Sequence, residues 1–480
     1  MNMRPSTLRI TLALLLLAHT ALAQIPIVRP EAVSLSSARL AQMDAVIADA
    51  IADKKLPGAV VLVGREGRVV WRKAYGARAV EPVREAMTPD TIFDLASLTK
   101  VVATATSVMI LMERGKLRLS DPVSFHIPEL KGDRITIEQL LTHVSGYAPD
   151  FDLRERWTGY DEAIKRLIRE PLRNPPGSRF TYSDIGFITL GEVVARAGGM
   201  PLDQFAQKNI FRPLGMLNTG FRPSRTLISR IAPTEKRRGQ MSYLGDTGVN
   251  AGAEGEAWLR GEVHDPTSYR MNGVAGHAGL FSTANDLAIY CQMILNGGTY
   301  HGVRILSPVT VADMTWPRLV ASNGGTRGLG WDINTTFSSN RGDLFPLGSF
   351  GHTGFTGTSL WIDPASQMFV VFLSNRVHPD GKGDVGPLRG RVATIVAASV
   401  TDTAVVERAR EQSAKYYNEL VNSLQQFAFR NDGVGSSARV LTGIDVLERD
   451  NFKQLAGMRL GLVTNHTGRN REGRQTIDVL

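Results

Sequence analysis

At 480 residues, 43% apolar and 21% charged, the chain has room for one large domain and more, with the balance of a globular protein rather than a disordered one. Its formal charge of +9 is scattered; Lys236-Arg237-Arg238 is too short a cluster to make a nucleic-acid footprint, and the lone Cys291 excludes an internal disulfide. No Gly-x-Ser-x-Gly, His-x-His or His-Glu-x-x-His pattern occurs, which leaves α/β-hydrolase and zinc-hydrolase chemistry unsupported.

In chain order, Arg4 and Arg9 precede an apolar stretch over 10–18 with four successive leucines, then Ala21-Leu22-Ala23. That order predicts a secretory signal peptide over residues 1–23 and export to the periplasm or the medium. The stretch is short of the roughly 20 residues an anchor needs, and no cysteine near the cut supports lipid attachment. After cleavage no membrane span is expected. Residues 24–35 read as an N-terminal extension. Residues 59–63 and 68–72, around Arg65-Glu66-Gly67, predict a β-hairpin.

Residues 91–95 read as extended, and 101–112 as a helix apolar on nearly every side, which implies burial. Between them lies Ser97-Leu98-Thr99-Lys100, the one place where a serine stands three residues ahead of a lysine. Residues three apart share a helix face, so hydroxyl and amine can touch. Either Ser97 caps the helix beside a solvated Lys100, or it is a nucleophile. In the second case a lysine held away from water loses its charge more readily and takes the serine proton.

Tyr182-Ser183-Asp184 follows a Pro-Pro-Gly-Ser turn at 175–178. Tyrosine and carboxylate two residues apart can face one cavity, Tyr182 to relay a proton and Asp184 to hold Lys100 or to bond a substrate. The plain alternative is a half-buried turn tyrosine. The chain from Ser97 to about Asn296 reads as mostly helical, with 241–258 as a surface loop able to shape substrate choice. Cys291, in a helical run over 286–295, reads as core packing. His143, His264 with Asp265, and His277 read as hydrogen-bonded structural histidines, with His264-Asp265 beside a cleft.

Gly351-His352-Thr353-Gly354-Phe355 leads into an alternating run over 359–363, a turn at Pro364-Ala365-Ser366 and a second run over 368–373, which is a second hairpin. Glycines at the head of an edge strand let a ligand approach the backbone, and the N–H groups of Ser97 and Phe355 then make an oxyanion hole. An ordinary Gly-rich strand entry is the alternative. Both hairpins and a helix over 388–399 join in one antiparallel sheet with helices, and the helical region between them forms a lobe, giving an α+β class. Residues 412–429 have helical spacing, 430–437 read as a linker, and 458–468 as a buried strand opening an α/β domain.

Together these segments resemble the serine β-lactamase and penicillin-binding-protein superfamily, in particular its class C-like branch of esterases, D-aminopeptidases and amidases. That family carries Ser-x-x-Lys, Tyr-x-Asn and Lys-Thr-Gly elements in this order. Gln139-Leu140-Leu141-Thr142-His143-Val144-Ser145-Gly146-Tyr147, Gly276-His277-Ala278-Gly279 and Gly328-Leu329-Gly330-Trp331 are similar to the same branch. The resemblance implies a β-lactamase/transpeptidase-like sheet flanked by helices over 36–405. It implies Ser97 as the acylated nucleophile, Lys100 as its base partner, Tyr182 as relay to the leaving group, and Asp184, His352, Thr353 and Gly354 as substrate-binding residues, with no cofactor or metal. Asp184 replaces the usual asparagine, and His352 replaces the lysine that grips a substrate carboxylate. A mostly neutral histidine is a weaker anchor, which tilts the expectation from β-lactamase toward amide or ester hydrolase.

After a helix and linker over 406–439, residues 440–480 resemble the start of the exo-β-N-acetylmuramidase family through Gly443-Ile444-Asp445 and Leu462-Val463-Thr464-Asn465-His466-Thr467-Gly468. The resemblance implies an incomplete α/β domain with no glycosidase activity. It offers Asn465 and Thr467 as sugar contacts, unless they belong to a plain strand-to-helix turn. The expected protein is an exported serine hydrolase acting on amide or ester bonds of peptidoglycan or muropeptides. The enzymatic alternatives are a broad carboxylesterase or weak β-lactamase, and the non-enzymatic one a penicillin-binding wall sensor.

Overall fold

Strand Gly58–Arg65 is buried along its whole length, and its alternation shows why. Val60 and Leu62 point into one core, while Ala59, Val61 and Val63 point into another on the opposite face. A strand covered on both sides reads as a continuous apolar run, the character of residues 59–63. The computed structural model that shows this describes residues 25–130, 134–236, 258–320, 325–431, 443–457 and 474–475. The signal-like segment over 1–23, most of the 241–258 loop, the linker from residue 432 and the strand-like run with Asn465 and Thr467 lie outside them.

The strand pairs on one side with Arg68–Ala79, closing the expected hairpin, and on the other with Met368–Ser374, Val60 opposite Leu373 and Leu62 opposite Val371. From there the antiparallel sheet continues through Ser359–Asp363, Phe350–Thr353, Asp332–Asn334 and Thr326–Arg327 to an edge strand at Arg318–Leu319, with Glu85–Ala86 as the other edge among the described residues. The strand carrying His352 therefore lies inside the sheet and not at its edge. Gly351 pairs with Asp332 on one side and with Trp361 on the other. A Cβ at Gly351 would sit 2.2 Å from the Trp361 ring, so that glycine answers to packing rather than to a ligand.

Helices Gln42–Ala52 and Gly386–Ala398 cover one face with an apolar layer that includes Ile47, Val392 and Val396. Against the other face lies the helical lobe. Its central element opens as a π-type turn, Lys100–Ala105, and continues as the α-helix Thr106–Glu113. Residues 100–111 are all buried, each large apolar side chain contributing roughly 1.5–3 kcal/mol. The hydroxyls within this run are satisfied: Thr104 donates to Gly276 O at 2.6 Å and Ser107 to Ala103 O at 2.7 Å. Helices Ile137–Leu141, Asp184–Gly198 and Ala284–Leu295 pack around it, the last holding Cys291 in the core. A small sheet of Phe93–Asp94, Leu280–Ser282 and Gly220–Phe221, not expected from the sequence, joins the lobe to the turn before Ser97.

Residues 25–35 are tied into the main unit: Ile27 bridges Val69 and Leu35 bridges Val400. The fully buried Arg65 donates from Nη1 to Val33 O (2.7 Å) and Ser34 O (2.9 Å), and from Nε to Ser366 O (3.2 Å). The next helix, Ala404–Asn431, starts eight residues before the periodic run seen in the sequence. Its first half belongs to the main unit, where buried Tyr416 shares a 2.8 Å hydrogen bond with Thr326. Residues 421–480 form a second unit, described as the end of that helix, the helix Gly443–Arg449 and a turn at Lys453–Leu455. No helix among the described residues is long and apolar enough to cross a membrane.

Candidate active site

The turn before Ser97 is held from three directions. Asp94 Oδ1 accepts the Ala96 N–H at 2.9 Å, and its Oδ2 accepts the His264 N–H at 2.7 Å. From the loop after the His352 strand, Thr356 donates to Asp94 O (2.7 Å) and Thr358 to Leu95 O (2.9 Å). Thr99 donates to Ala96 O at 2.7 Å from the helix side. These bonds keep Ala96 at φ +46°, a left-handed conformation that costs a non-glycine residue about 1–2 kcal/mol. Ser97 follows as a part-exposed residue between buried Ala96 and Leu98. Gly354 supplies the close approach: a Cβ there would lie 2.4 Å from Leu95 O, and its N–H donates to Thr358 O at 2.7 Å. It supports the turn from behind and does not line the cavity.

Lys100 Nζ lies 3.0 Å from Ser97 Oγ, 3.1 Å from His277 O and 2.6 Å from Asp184 Oδ1. Ser97 Oγ and His277 O each accept a hydrogen bond from the amine, and the Asp184 carboxylate completes the set as its ion-pair partner. Burial works against that charge, yet the Asp184 carboxylate and then the Tyr182 phenol outweigh it and hold the Lys100 pKa above the ordinary lysine value. The expectation that burial would make Lys100 lose its charge more readily is thus corrected. It allowed for desolvation but not for the partner that opposes it. Of the two roles open to Asp184, holding Lys100 is the one the structure displays.

Ser183 fixes the second segment. Its Oγ accepts the Gly186 N–H (3.2 Å), capping helix Asp184–Gly198, and donates to Ala148 O (2.6 Å), while its N–H donates to His143 Nδ1 (3.0 Å). The Asp184 N–H donates to Pro149 O at 2.7 Å. The Tyr182 ring stacks on buried His143, centroids 4.4 Å apart, and tilts against Phe337 at 5.2 Å. Lys100 Nζ lies 4.9 Å from its centre. Ser97, Lys100 and the Tyr182 ring therefore meet, and both Ser97 and Phe355 border the space in front of them.

That space is a cavity of about 420 Å³ lined by Ser97, Tyr182, Asp184, His264, Asp265, His352, Thr353 and Phe355 among the expected residues. Ala96, Pro149, Asp150, Ala278, Asp332 and Phe337 complete its described wall. His352 Nδ1–H donates to Thr353 O at 2.8 Å. Burial first, then the Arg327 and Lys100 charges, hold the His352 ring well below the usual histidine range, so it meets substrate uncharged. Arg327 itself is fully buried, 3.1 Å from Asp332. His277 Nε2–H donates to Asp265 Oδ1 at 2.8 Å. Burial opposes charge on both partners, but the pairing wins: it raises His277 and holds Asp265 well below the usual carboxylate range. Burial, then Asp184 and Asp265, push Asp150 up to about 7.

Asp184, Asp265 and His277 present ligand-type atoms within 4.8 Å of one another, the one such group among the described residues. The Lys100 amine already sits against Asp184, and the His277 ring against Asp265, so the near partners of these two carboxylates are side chains. Sequence reasoning missed Asp150, Phe337 and Arg327. Each reaches the site through a fold contact with no local pattern to mark it.

The chain is similar to known proteins over most of its length. The Beta-lactamase family model matches residues 43–394. "Putative D-alanyl-D-alanine carboxypeptidase" of Escherichia coli (strain K12) is 33% identical over 377 residues, covering 73% of this chain and 85% of the relative. A novel penicillin-binding protein homolog from Caulobacter crescentus superimposes with a TM-score of 0.61 at 22% identity, over 76% of this chain and 98% of that one. EstCE1, a hydrolase with promiscuous acyltransferase activity, gives 0.60 at 24%, over 75% and 98%. At these identities the two structural likenesses speak for the fold.

Proposed function

The chain belongs to the beta-lactamase family and is a serine hydrolase, and from that premise we propose that it forms an acyl-enzyme at Ser97 and cleaves amide or ester bonds in cell-wall peptides. The observation that carries this reading is the 3.0 Å contact between Lys100 Nζ and Ser97 Oγ at the floor of a cavity. Ser97 Oγ attacks the carbonyl carbon while the N–H groups of Ser97 and Phe355 receive the oxyanion. Because Lys100 rests as an ammonium, it first passes a proton to Asp184 Oδ1, 2.6 Å away, and its freed lone pair takes the Ser97 proton. Tyr182 relays that proton to the departing nitrogen or oxygen, and water then releases the acyl group.

The cell-wall assignment draws on the relative's name and on the resemblance of residues 440–480 to a muramidase family. Export rests on residues 1–23, and N-terminal sequencing of the mature protein should start at Gln24. The aromatic wall of Tyr182, Phe337 and Phe355 with uncharged His352 favours a second reading, a broad carboxylesterase. Incubating the protein with muropeptides and short-chain esters, then weighing it intact, tests both. Acyl adducts on Ser97 that turn over with muropeptides are expected; adducts from esters alone favour the second reading. No adduct, or one that survives Ser97→Ala, defeats both.

A further inference from the structure

The two peptide units read as the oxyanion hole are backed alike. Ala96 O, the carbonyl of the peptide that carries the Ser97 N–H, accepts the Thr99 N–H at 3.0 Å and a side-chain donor, the Thr99 hydroxyl, at 2.7 Å. Gly354 O, the carbonyl of the peptide that carries the Phe355 N–H, accepts the Gly357 N–H at 3.1 Å and a side-chain donor too, Arg389 Nη2, at 3.3 Å. The Thr99 hydroxyl in turn accepts the Leu280 N–H at 3.1 Å, so the first peptide ends a neutral chain of hydrogen bonds, while the second ends on a charge. Arg389 stands in the first turn of helix Gly386–Ala398, which otherwise meets the sheet through apolar side chains. It is buried, its Nε has no hydrogen-bond partner, and no carboxylate lies within ion-pair distance among the described residues. Burial, then the charge of neighbouring Arg376, pull its pKa down to about 9, which still leaves a cation at neutral pH. An apolar side chain of similar volume would fill this place at less cost. Arg376 donates from Nε to the next carbonyl, Phe355 O, at 2.8 Å and lies 4.3 Å over the Phe355 ring. Neither arginine lines the cavity, so any influence on substrate passes through the backbone at 354–355.

Building on the acyl-enzyme reading, we propose that Arg389 is a positioning residue of the oxyanion hole: its guanidinium fixes the Gly354 carbonyl, polarises the Gly354–Phe355 peptide and so strengthens the Phe355 N–H as a donor to the charged substrate oxygen. Hydrogen bonds in a chain polarise one another, and a charged donor at the carbonyl end of an amide makes its N–H end a better donor. The gain is small against a neutral carbonyl and grows once that oxygen carries negative charge, so it lowers the barrier rather than tightening ground-state binding. Because the guanidinium is shielded from water, its field is screened less than that of a surface cation. Thr99 is the neutral counterpart behind the Ser97 N–H.

Arg389→Lys, Arg389→Gln and Arg389→Met in the full chain test this, with p-nitrophenyl butyrate as substrate and phenylboronic acid as probe, since boron forms an anionic tetrahedral adduct on a serine oxygen. An oxyanion donor removed outright costs about 10²–10³ in kcat, so one that is weakened should cost about tenfold. The loss in kcat is expected to grow from Arg389→Lys through Arg389→Gln to Arg389→Met, with KM near the wild-type value and boronate affinity falling in step with kcat/KM. Arg389→Gln keeps a donor at similar volume and carries the test should Arg389→Met not fold. A kcat for Arg389→Gln within about twofold of wild type overturns the proposal. So does a loss that Arg389→Lys shares in full, a rise in KM alone, or a boronate affinity that ignores the substitutions. Each of these leaves Ser97 chemistry intact. Absence of a Ser97-dependent butyryl adduct on the wild-type protein overturns the proposal together with the reading it rests on.

Discussion

The two faces of the central sheet are built to different ends. Helices Gln42–Ala52 and Gly386–Ala398 meet one face through apolar side chains such as Ile47, Val61, Val370 and Val392. The other face supports a lobe in which Lys100, Asp184, Asp265 and His277 are largely withdrawn from water, and in which Ala96 and His143 hold left-handed backbone. Burying charge and strain costs stability unless partners over-determine the geometry. The contrast indicates that the first face supplies the stability which the second spends on chemistry.

Substitutions that act on one face only would sharpen that contrast. The largest effect belongs to Ser97→Ala, which should lower kcat/KM by at least about 10³-fold in a substrate assay with no loss of thermal stability. Next, Ile47→Ala on the far face should cost about 2–5 kcal/mol in denaturant unfolding and leave kcat/KM of the folded fraction unchanged. A matching loss of activity there would break the division. Asp184→Asn removes the group that takes the Lys100 proton, so Lys100 must lose it to solvent before it can act as base. kcat/KM near neutral pH should fall and its acid limb should move to higher pH, read from a pH profile. The smallest effect is at Asp150. Its folded pKa of about 7, against an ordinary 3.8, means that stability declines as pH rises from about 4 to about 7. Asp150→Asn should therefore raise the melting temperature by roughly 2 °C at pH 8 and by nothing measurable at pH 4.

What the sequence revealed follows the same division. The hairpin at 58–79, the strands at 359–374 and the buried helix after Ser97 were legible because local periodicity reports a covered face. Ser97, Lys100, Tyr182 and Asp184 were legible because their spacing fits one chemistry. The state of Lys100 was not, since it depends on a carboxylate 84 positions along the chain whose distance the order of residues does not state. The interior place of the His352 strand was hidden for a similar reason. Its partner, Asp332–Asn334, is three residues long, too short to show alternation. Asp150 and Asp265 took their meaning only from each other's proximity.

The Arg65 anchor and the pairing of Gly58–Arg65 with Met368–Ser374 set an order of events as well as a shape. The partners are some 300 residues apart in the chain, and long-range closure of this kind is slow. During synthesis the earliest hairpin must wait, one margin open, until the last strands emerge. A polypeptide released before Ser374 would keep that margin available to a neighbouring molecule, so aggregation of shortened products is the failure to look for first.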